Sequence, residues 1–272
     1  MQFQGRLIFD LFIGKGLKPI VVAKVHKRRK SARYFYKGWT QCGKVFIIQC
    51  MKIYLATGNE HKKREMQRIF ADFQIVIPKD ENIDFNPEET GSTFFENSLI
   101  KAKALWSIVK KPVIADDSGI CVDALGGEPG IFSSRYGGLA FPHGLPDGKK
   151  MPQAEQNRQL IRQVNKVTDF GMLPEAPYLN GERSCHYSCA LVCYFGHEQF
   201  FAAQETMEGS LIERIEDAAG TGGFGYDPLV IIPKYGKTVA ELTDEQKDEI
   251  SHRGKASRAL YGLAKSVLLQ GN

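Results

Sequence analysis

From Met51 onward, short β-rich runs alternate with helical segments, and this alternation is typical of an α/β fold. We expect strands at KIYLAT, FQIVIP, PVIAD and PLVIIP, and a hairpin formed by RSCHYSCALVCYF and QFFAAQETMEGSL. Helices are expected after the first strand, over FENSLIKAKALWSIVKK, over QAEQNRQLIRQVNK and from Ala256 to Leu269. Residues 141 to 153 are expected to form a surface loop.

Basic residues are concentrated in the first fifty positions. This segment has 11 Lys or Arg and a single acidic residue, Asp10, whereas residues 51 to 272 have 25 basic and 30 acidic residues. The basic segment alone hints at a nucleic-acid partner, and the rest of the chain is expected to require none. Because Met51 directly precedes the first strand, we interpret residues 1 to 50 as an extension outside a domain that spans residues 51 to 272.

No apolar run approaches the ~20 residues that a membrane-spanning helix needs, so no membrane partner is expected. The six cysteines include no CxxC pair, and Cys185, Cys189 and Cys193 recur at even spacing on one face of an expected strand. Small buried residues in a reducing cytoplasm explain this pattern better than the alternative, a metal cluster. We therefore expect a cytoplasmic protein and assign the cysteines no catalytic role.

The strand PVIAD delivers two carboxylates, Asp116 and Asp117, which Ser118 and Gly119 follow. Successive side chains of a strand face opposite ways, so the two carboxylates are not expected to face one pocket or to share a proton. One carboxylate would then act alone or with a metal ion. The alternative is that DDSG forms an Asx-type turn at a strand end and has only a backbone role.

A charged segment, residues 57 to 64, joins the first strand to its helix, and Asn59 is a suitable N-cap. Cations at a helix N-terminus oppose the helix dipole, at a cost of ~0.3 to 1 kcal/mol each. A bound anion would remove this conflict, because exposed N–H groups, a threonine hydroxyl and the Lys62 ammonium together suit a triphosphate. Lys63 and Arg64 are interpreted as facing solvent.

The turn GTGGFGYDP, residues 220 to 228, contains a GxGxxG pattern but precedes a strand, so it is not a dinucleotide-binding fingerprint. We interpret it as a loop whose backbone approaches a ligand, with Phe224 or Tyr226 available to stack on a base. An ordinary glycine-rich connection is the alternative.

A capping box, TDEQ, begins a short helix at residue 243, and residues 250 to 254, ISHRG, are expected to break it before the last helix. The His-Arg pair in this break could donate hydrogen bonds to a carbonyl oxygen, or it could lie solvated on the surface.

Glutamates near residue 90 are candidate metal ligands. Glu88, Glu89 and Glu96 flank the start of the expected second helix, and any of them could join an aspartate in holding Mg²⁺. Spacing alone does not rank Glu89 against Glu96, and Glu88 also fits a solvated acidic turn.

Five segments in order closely resemble the inosine triphosphate pyrophosphatase family, the XTP/dITP or non-canonical purine NTP pyrophosphatases. They are LATGNEHKKRE, ETGSTFFENSLIKAKAL, ADDSGICVDALGGEPGIFSSRYGG, GTGGFGYDP and GKTVAELTDEQKDEISHRGKA. The resemblance runs from about Met51 to the C-terminus. Residues 1 to 50 have no counterpart in it, and the loop at 141 to 153 is longer than the family's usual connection.

The resemblance implies a two-lobed α/β fold around a long mixed sheet flanked by helices, with the nucleotide in the cleft between the lobes, and a homodimer. It implies that Asp117 is the general base and a Mg²⁺ ligand, with Glu89 as the second carboxylate. The triphosphate would contact Thr57, Gly58, Asn59, Glu60, His61, Lys62, Lys101 and Ser118. The purine would be enclosed by Phe224, Gly225, Tyr226, Asp227, Lys247, His252 and Arg253.

The implied reaction is Mg²⁺-dependent hydrolysis of ITP, dITP or XTP to the monophosphate and pyrophosphate, by a water that Asp117 deprotonates. A 6-oxo purine would accept a hydrogen bond from Arg253 or a backbone N–H, whereas adenine would leave such donors unpaired. One alternative, a pyrophosphatase of modified pyrimidine triphosphates, is disfavoured by the SHR and GGFGYDP segments. Another, a non-catalytic nucleotide-binding or RNA-binding protein, is disfavoured by Asp117 and its expected metal partners.

Overall fold

Seven strands form one mixed sheet in the computed structural model, which describes residues 51–138, 140–171, 181–221, 223 and 225–270. The strands are β1 (Lys52–Leu55), β2 (Gln74–Val76), β3 (Val113–Val122), β4 (Ser184–Gly196), β5 (Gln199–Leu211), β6 (Val230–Ile232) and β7 (Lys237–Thr238). The helices of these ranges are α1 (Glu60–Ile69), α2 (Phe94–Val109), α3 (Gln153–Asp169), α4 (Asp244–Ile250) and α5 (His252–Gln270). Over the same ranges, no helix has the length and apolar character that crossing a bilayer requires.

The sheet order is β2-β1-β3-β4-β5-β6-β7. β1 is parallel to β2 and β3, and all later pairings are antiparallel. The predicted α/β class with a mixed sheet is thus confirmed. The interpretation of residues 1 to 50 and the base-stacking role expected of Phe224 lie outside the described residues.

The longest strands form the predicted hairpin. β4 and β5 pair over almost their whole length around a two-residue loop, His197 and Glu198, whose φ angles are 50° and 60°. Two-residue loops with positive φ match the right-handed twist of the flanking strands. β3 pairs with β4 along all ten of its residues, so three long strands lie side by side and extend through both lobes.

The core is divided into two lobes along these three strands. In the first lobe, α1 and α5 cover one face of the sheet with Met66 and Leu260, and α2 covers the opposite face with Leu105. In the second lobe, α3 packs Leu160 against Ile120 and the neighbouring strands. Burial of these apolar side chains on both sides of the sheet fixes the helices that carry the polar residues of the site.

The prediction that the third strand ends at the aspartate pair is wrong. β3 continues without interruption to Val122. Gly119 suggests a turn in the sequence, but a Cβ on this residue would collide with the Gly130 carbonyl oxygen and the Ser133 hydroxyl. Gly119 therefore lies within a strand, and its lack of a side chain lets the segment of Gly130 and Ser133 pack closely against β3. The Asx-turn interpretation of DDSG is excluded.

The last helix begins at His252, four residues before the predicted start. The predicted break over residues 250 to 254 is present but shorter than expected, because Gly254 is already the third residue of α5 and its N–H donates to the Ser251 hydroxyl at 3.0 Å. A Cβ at Gly254 would lie 2.6 Å from the Asp248 carbonyl oxygen. The interruption between α4 and α5 is confined to Ser251, and this brings His252 and the next residue onto the first turn of a long helix.

The cysteines of the described ranges behave as predicted. Cys121, Cys185, Cys189 and Cys193 are buried free thiols, and the last three lie on β4. Burial raises the pKa of Cys189 to about 12, so its thiol stays protonated and unreactive.

Candidate active site

A cavity of about 580 Å³ opens at the edge of β3, where β1 ends. β1 pairs with β3 only at Val113 and Ile114. From Ala115 to Ile120, this side of β3 therefore has no strand partner within the described ranges. The first turns of α1 and α5, the glycine-rich loop and the unpaired stretch of β3 together line the cavity.

Asp116 and Asp117 both line this cavity. Their side chains nevertheless leave β3 on opposite faces: Asp116 contacts residues of α1 and α5, and Asp117 contacts residues of α2. The predicted opposite orientation is confirmed, whereas the prediction that they cannot face one pocket is wrong. The cavity wraps around the unpaired edge of the strand and so reaches both faces.

Asp117 is held by two side chains of α2. The Lys101 Nζ lies 3.0 Å from Oδ1, and the Asn97 Nδ2 donates to Oδ2 at 3.2 Å. Burial raises the pKa of Asp117, and it stays raised although Lys101 opposes the effect. A buried carboxylate with a raised pKa is suited to accept a proton from water.

Glu89 and Asp117 both contact the ammonium group of Lys101. The Lys101 Nζ, which contacts Asp117, also lies 3.1 Å from Glu89 Oε1, so the two carboxylates accommodate a positive charge between them. Burial would lower the pKa of Lys101, but these carboxylates and Asp116 raise it above its ordinary value. Lys101 is therefore a charged ammonium between two acids.

The same pair of carboxylates fits Mg²⁺, which takes one or two protein carboxylates and keeps water and phosphate oxygens as its other ligands. Among the described residues, no group of three or more His, Cys, Asp or Glu is arranged to hold a metal by itself. The fit is thus to a metal that shares its coordination with a substrate. Glu96 accepts hydrogen bonds from the Ser92 N–H and hydroxyl, both at 2.7 Å, and neither it nor Glu88 lines the cavity.

Asp116 joins two cations from different helices. Its Oδ2 lies 3.0 Å from the Lys62 Nζ and 3.1 Å from the Arg253 Nε. Burial alone would raise the pKa of Asp116, but Lys62 and Arg253 hold it well below its ordinary value. Asp116 is therefore a permanent anion that anchors the starts of α1 and α5 beside the cavity.

The predicted phosphate-binding segment caps α1. The Asn59 Oδ1 accepts from the N–H groups of His61 and Lys62 at 2.8 and 3.4 Å, and the Thr57 hydroxyl oxygen accepts from the Asn59 N–H at 3.1 Å. Of the six residues predicted here, the structure places five along the cavity: Thr57, Gly58, Asn59, His61 and Lys62. The exception is Glu60, whose exposed carboxylate lies outside the lining at the start of the helix.

The prediction that Lys63 and Arg64 face solvent is confirmed for Arg64, which is exposed, whereas Lys63 is partly buried and pairs with Asp80 at 2.6 Å. Arg64 does line the mouth of the cavity, where its Nη2 lies 2.7 Å from the His61 Nδ1. The conflict between helix dipole and cations at α1 is thus relieved for Lys62 by the buried Asp116 and for Lys63 by Asp80.

Another part of the cavity wall is built from the glycine-rich loop, α4 and α5. The Lys247 Nζ lies 2.7 Å from Asp227 Oδ2, and the His252 ring stacks on Tyr187 with centroids 5.1 Å apart and planes inclined by 12°. Burial lowers the pKa of His252 well below its ordinary value, and the nearby Arg253 adds to this, so the imidazole is neutral. A neutral ring has one donor and one acceptor, and the Nδ1 atom of His252 is buried without a hydrogen-bond partner among the described residues.

Tyr226 lines the cavity but belongs mainly to the core of the second lobe. Only 4% of the residue is exposed, and its hydroxyl donates to the Ser133 carbonyl oxygen at 2.9 Å. Tyr226 is therefore poorly placed to stack on a base with a full ring face. Gly225 and Ser118, both predicted to contact substrate, also line the cavity.

The sequence interpretation missed three residues of the site. Glu65 accepts from the Arg253 Nη1 at 2.8 Å, Asn97 contacts Asp117, and Tyr187 supports His252. Glu65 lies three positions after a predicted phosphate ligand and Asn97 four before Lys101, so helical spacing alone could have placed both on the correct faces. Tyr187 gives no such signal, because its partner is distant in the chain.

The sequence model of the Ham1 family matches residues 53 to 263, which is most of the chain. The chain belongs to the Ham1 family. This membership, with relatives named dITP/XTP pyrophosphatases, confirms the resemblance to the inosine triphosphate pyrophosphatase family that the motifs predict.

Two of these relatives align with this chain over nearly their whole length. A dITP/XTP pyrophosphatase of Treponema denticola is 47% identical over 217 residues, which are 80% of this chain and 98% of the relative. A dITP/XTP pyrophosphatase of Shigella flexneri is 41% identical over 214 residues, which are 77% of this chain and 95% of the relative. The solved Ham1 protein of Staphylococcus aureus has 31% identity and a TM-score of 0.64, covering 79% of this chain and 99% of its own. This likeness confirms the predicted fold.

Proposed function

We propose that this chain hydrolyses the triphosphates of non-canonical purine nucleosides, ITP, dITP and XTP, to the monophosphate and pyrophosphate. The observation that carries the proposal is the convergence of Asp117, Lys101 and Glu89 in a cavity that His252 and Arg253 also line. The substrate class is supported by the names of the Ham1 relatives. We assign the reaction to residues 51 to 272, because the Ham1 family model matches residues 53 to 263 and this part of the chain contains Asp117, Lys101 and Glu89.

The triphosphate is bound at the N-terminus of α1. Thr57, Gly58, Asn59, His61 and Lys62 line the cavity there, and the positive end of the helix dipole and the Lys62 ammonium both favour a negatively charged ligand. Lys101 adds charge from the α2 side of the strand. Catalysis of phosphoryl transfer consists mostly of positioning and charge neutralisation, which these groups supply.

Asp117 acts as the general base. Its carboxylate takes a proton from a water molecule, and the oxygen of that water forms a bond to the α-phosphorus as the bond to the pyrophosphate oxygen breaks. Lys101, 3.0 Å from Asp117, keeps the carboxylate ionised and ready to accept the proton. Because Lys101 also contacts Glu89, one ammonium aligns both carboxylates toward the reacting phosphate.

Glu89 and Asp117 would hold Mg²⁺, which when bound neutralises phosphate charge and polarises the phosphoryl group. The Lys101 ammonium contacts both carboxylates, at 3.1 and 3.0 Å, and so keeps them side by side. We expect EDTA to abolish turnover and added Mg²⁺ to restore it.

Base selection comes from the α5 end of the cavity. Each of the three Arg253 nitrogens makes one hydrogen bond, to Asp116, Glu65 or Ser118, and two N–H groups remain for a ligand. A 6-oxo purine accepts from such donors, whereas the 6-amino group of adenine leaves them unpaired, at a cost of about 1 to 3 kcal/mol. Asp227 and Lys247 close the same end of the cavity.

We further propose that the enzyme works as a homodimer in the cytoplasm. The family resemblance supports the dimer, and the buried free thiols of the described strands support a reducing compartment. Light scattering during size-exclusion chromatography measures the dimer directly, and a monomeric mass at working concentration would reject it.

A panel of nucleoside triphosphates tests the proposed function. Phosphate release is measured for ITP, dITP, XTP, the four common ribonucleotides and modified pyrimidine triphosphates, with and without added inorganic pyrophosphatase. We expect phosphate only when the pyrophosphatase is added, and fastest from the three non-canonical purines. Preference for a modified pyrimidine would support the alternative pyrophosphatase, and binding without release would indicate a nucleotide-binding protein.

A further inference from the structure

Asn97 is a fully buried polar side chain in the first turn of α2. Its Oδ1 accepts from the Gly91 N–H at 2.8 Å, and its Nδ2 donates to Asp117 Oδ2 at 3.2 Å. Because the backbone N–H of Gly91 can only donate, Oδ1 must face it, and the amide nitrogen is left for Asp117. The two hydrogen bonds therefore fix the orientation of the side chain.

The contact with Gly91 connects Asn97 to the segment that carries Glu89, two residues earlier. A Cβ at Gly91 would lie 2.7 Å from Asn97 Oδ1 and 2.6 Å from Glu96 Cβ, so only glycine allows this segment to approach the start of α2. The Glu89 segment is thus docked against the same amide group that holds Asp117.

The Asp117 carboxylate is held through both of its oxygens. Oδ1 faces the Lys101 ammonium and Oδ2 faces the Asn97 amide, so rotation about the last side-chain bond would break two hydrogen bonds. An ionised carboxylate has about four lone-pair positions, which leaves room for water and a cation beside these two donors. Lys101 alone would leave the carboxylate plane free to turn.

We propose that Asn97 is a positioning residue of the active site, whose single amide fixes the Asp117 carboxylate and the Glu89 segment in one arrangement. This inference rests on the proposed function. Asn97 does not line the cavity, so it acts through Asp117 and Glu89 and not by contact with the nucleotide. It should therefore affect kcat and leave nucleotide binding nearly unchanged.

Two substitutions test this role. Asn97→Asp keeps the acceptor for Gly91 and removes the donor to Asp117, whereas Asn97→Ala removes the donor without adding charge. We expect both to lower kcat by about 10- to 100-fold, the usual loss when a partner of a metal ligand is removed. KM for dITP, measured at saturating Mg²⁺, and the calorimetric Kd for IMP should each stay within about threefold of the parent values, because the other contacts of the nucleotide are unchanged.

Ser98→Ala is the matched control. Ser98 is the next residue of the helix, is equally buried and donates to the Ala115 carbonyl oxygen at 2.9 Å, two residues from Asp117. Its removal should lower Tm and leave kcat unchanged. If the Asn97 variants do not fold, Gly91→Ala tests the contact between Gly91 and Asn97 by changing its other partner. This variant should lower kcat without weakening IMP binding.

The inference is overturned if both Asn97 variants keep the parent kcat, or if kcat, IMP affinity and Tm fall together as they would for a purely structural residue. The parent enzyme separates this result from failure of the proposed function. A parent that releases no pyrophosphate from dITP rejects the function, whereas an active parent with unaffected Asn97 variants rejects only the positioning role.

Discussion

Asp116 and Arg253 are 137 positions apart in the chain, yet the Arg253 Nε donates to Asp116 Oδ2 at 3.1 Å. The contact ties the first turn of α5 to the middle of β3, beside the unpaired edge that opens the cavity. Lys62 from α1 contacts the same oxygen at 3.0 Å. One buried carboxylate therefore holds in place both a proposed phosphate-binding residue and a proposed base-binding residue.

Asp116→Asn should act mainly on stability. The substitution leaves two cations near the core without their shared anion, and breaking a buried ion pair costs about 3 to 5 kcal/mol. Urea unfolding followed by circular dichroism measures the loss. The control is Asp147→Asn, an exposed aspartate whose ion pair is with Lys149, and it should change stability little. Equal stability of Asp116→Asn and the parent would contradict the anchoring role.

The same carboxylate predicts a pH dependence. The pKa of Asp116 is lower in the folded chain than in the unfolded chain, so its contribution to stability is present above the unfolded pKa, about 4. It is lost as the pH falls below that value, because protonation then favours the unfolded chain. The free energy of unfolding should fall less steeply on acidification in Asp116→Asn than in the parent, and parallel curves would argue against this assignment.

Lys62→Ala should weaken binding of ITP more than binding of IMP. The Lys62 ammonium lies at the N-terminus of α1, where the β- and γ-phosphates of a triphosphate are expected, and the monophosphate lacks both. Calorimetric titration of both ligands without divalent metal measures the two losses. Lys63→Ala is the control, because Lys63 pairs with Asp80 away from the cavity. An equal loss of affinity for ITP and IMP would contradict the assignment of Lys62 to the β- and γ-phosphates.

Arg253→Ala should narrow the preference for ITP over ATP. It removes N–H donors that match a 6-oxo group and mismatch a 6-amino group, a difference of about 1 to 3 kcal/mol when buried. The measurement is the ratio of kcat/KM for the two substrates. A ratio that stays fixed while both values fall together would make Arg253 a structural or phosphate-binding residue.

The sequence predicts most of the sheet, because strands, turns and helix starts are each indicated by residues that are close together in the chain. The hairpin follows from two β-rich runs around Gly196, and α1 follows from Asn59 and the apolar spacing after it. The sequence predicts that the third strand ends at the aspartate pair, before Gly119, and that the break before the last helix extends to Gly254, and both bounds are wrong for one reason. Glycine indicates a turn when read alone, but at both positions it permits a close contact with residues that the local sequence does not specify.

The sequence predicts many residues of the site from its motifs, but it predicts few of the contacts between them. The placing of Asp117 and Lys101 near each other follows from the family motifs, whereas the contact between Glu65 and Arg253 joins residues 188 positions apart. The shared cavity of the aspartate pair also needed the structure, because alternation along a strand says nothing about where its neighbouring strand ends.

Pyrophosphate release by Asp117→Asn tests the central claim most directly. The amide keeps the shape of the carboxylate but cannot take a proton from water, and a positioned general base contributes about 10²- to 10⁴-fold. Asp123→Asn is the control, since it makes the same change just after β3, at a residue that does not line the cavity.

We predict that Asp117→Asn loses at least about 100-fold in kcat for dITP at saturating Mg²⁺ while still binding IMP, and that Asp123→Asn keeps the parent kcat. Retention by Asp117→Asn of more than about a tenth of the parent kcat would contradict the account, because that loss is smaller than removal of a general base produces.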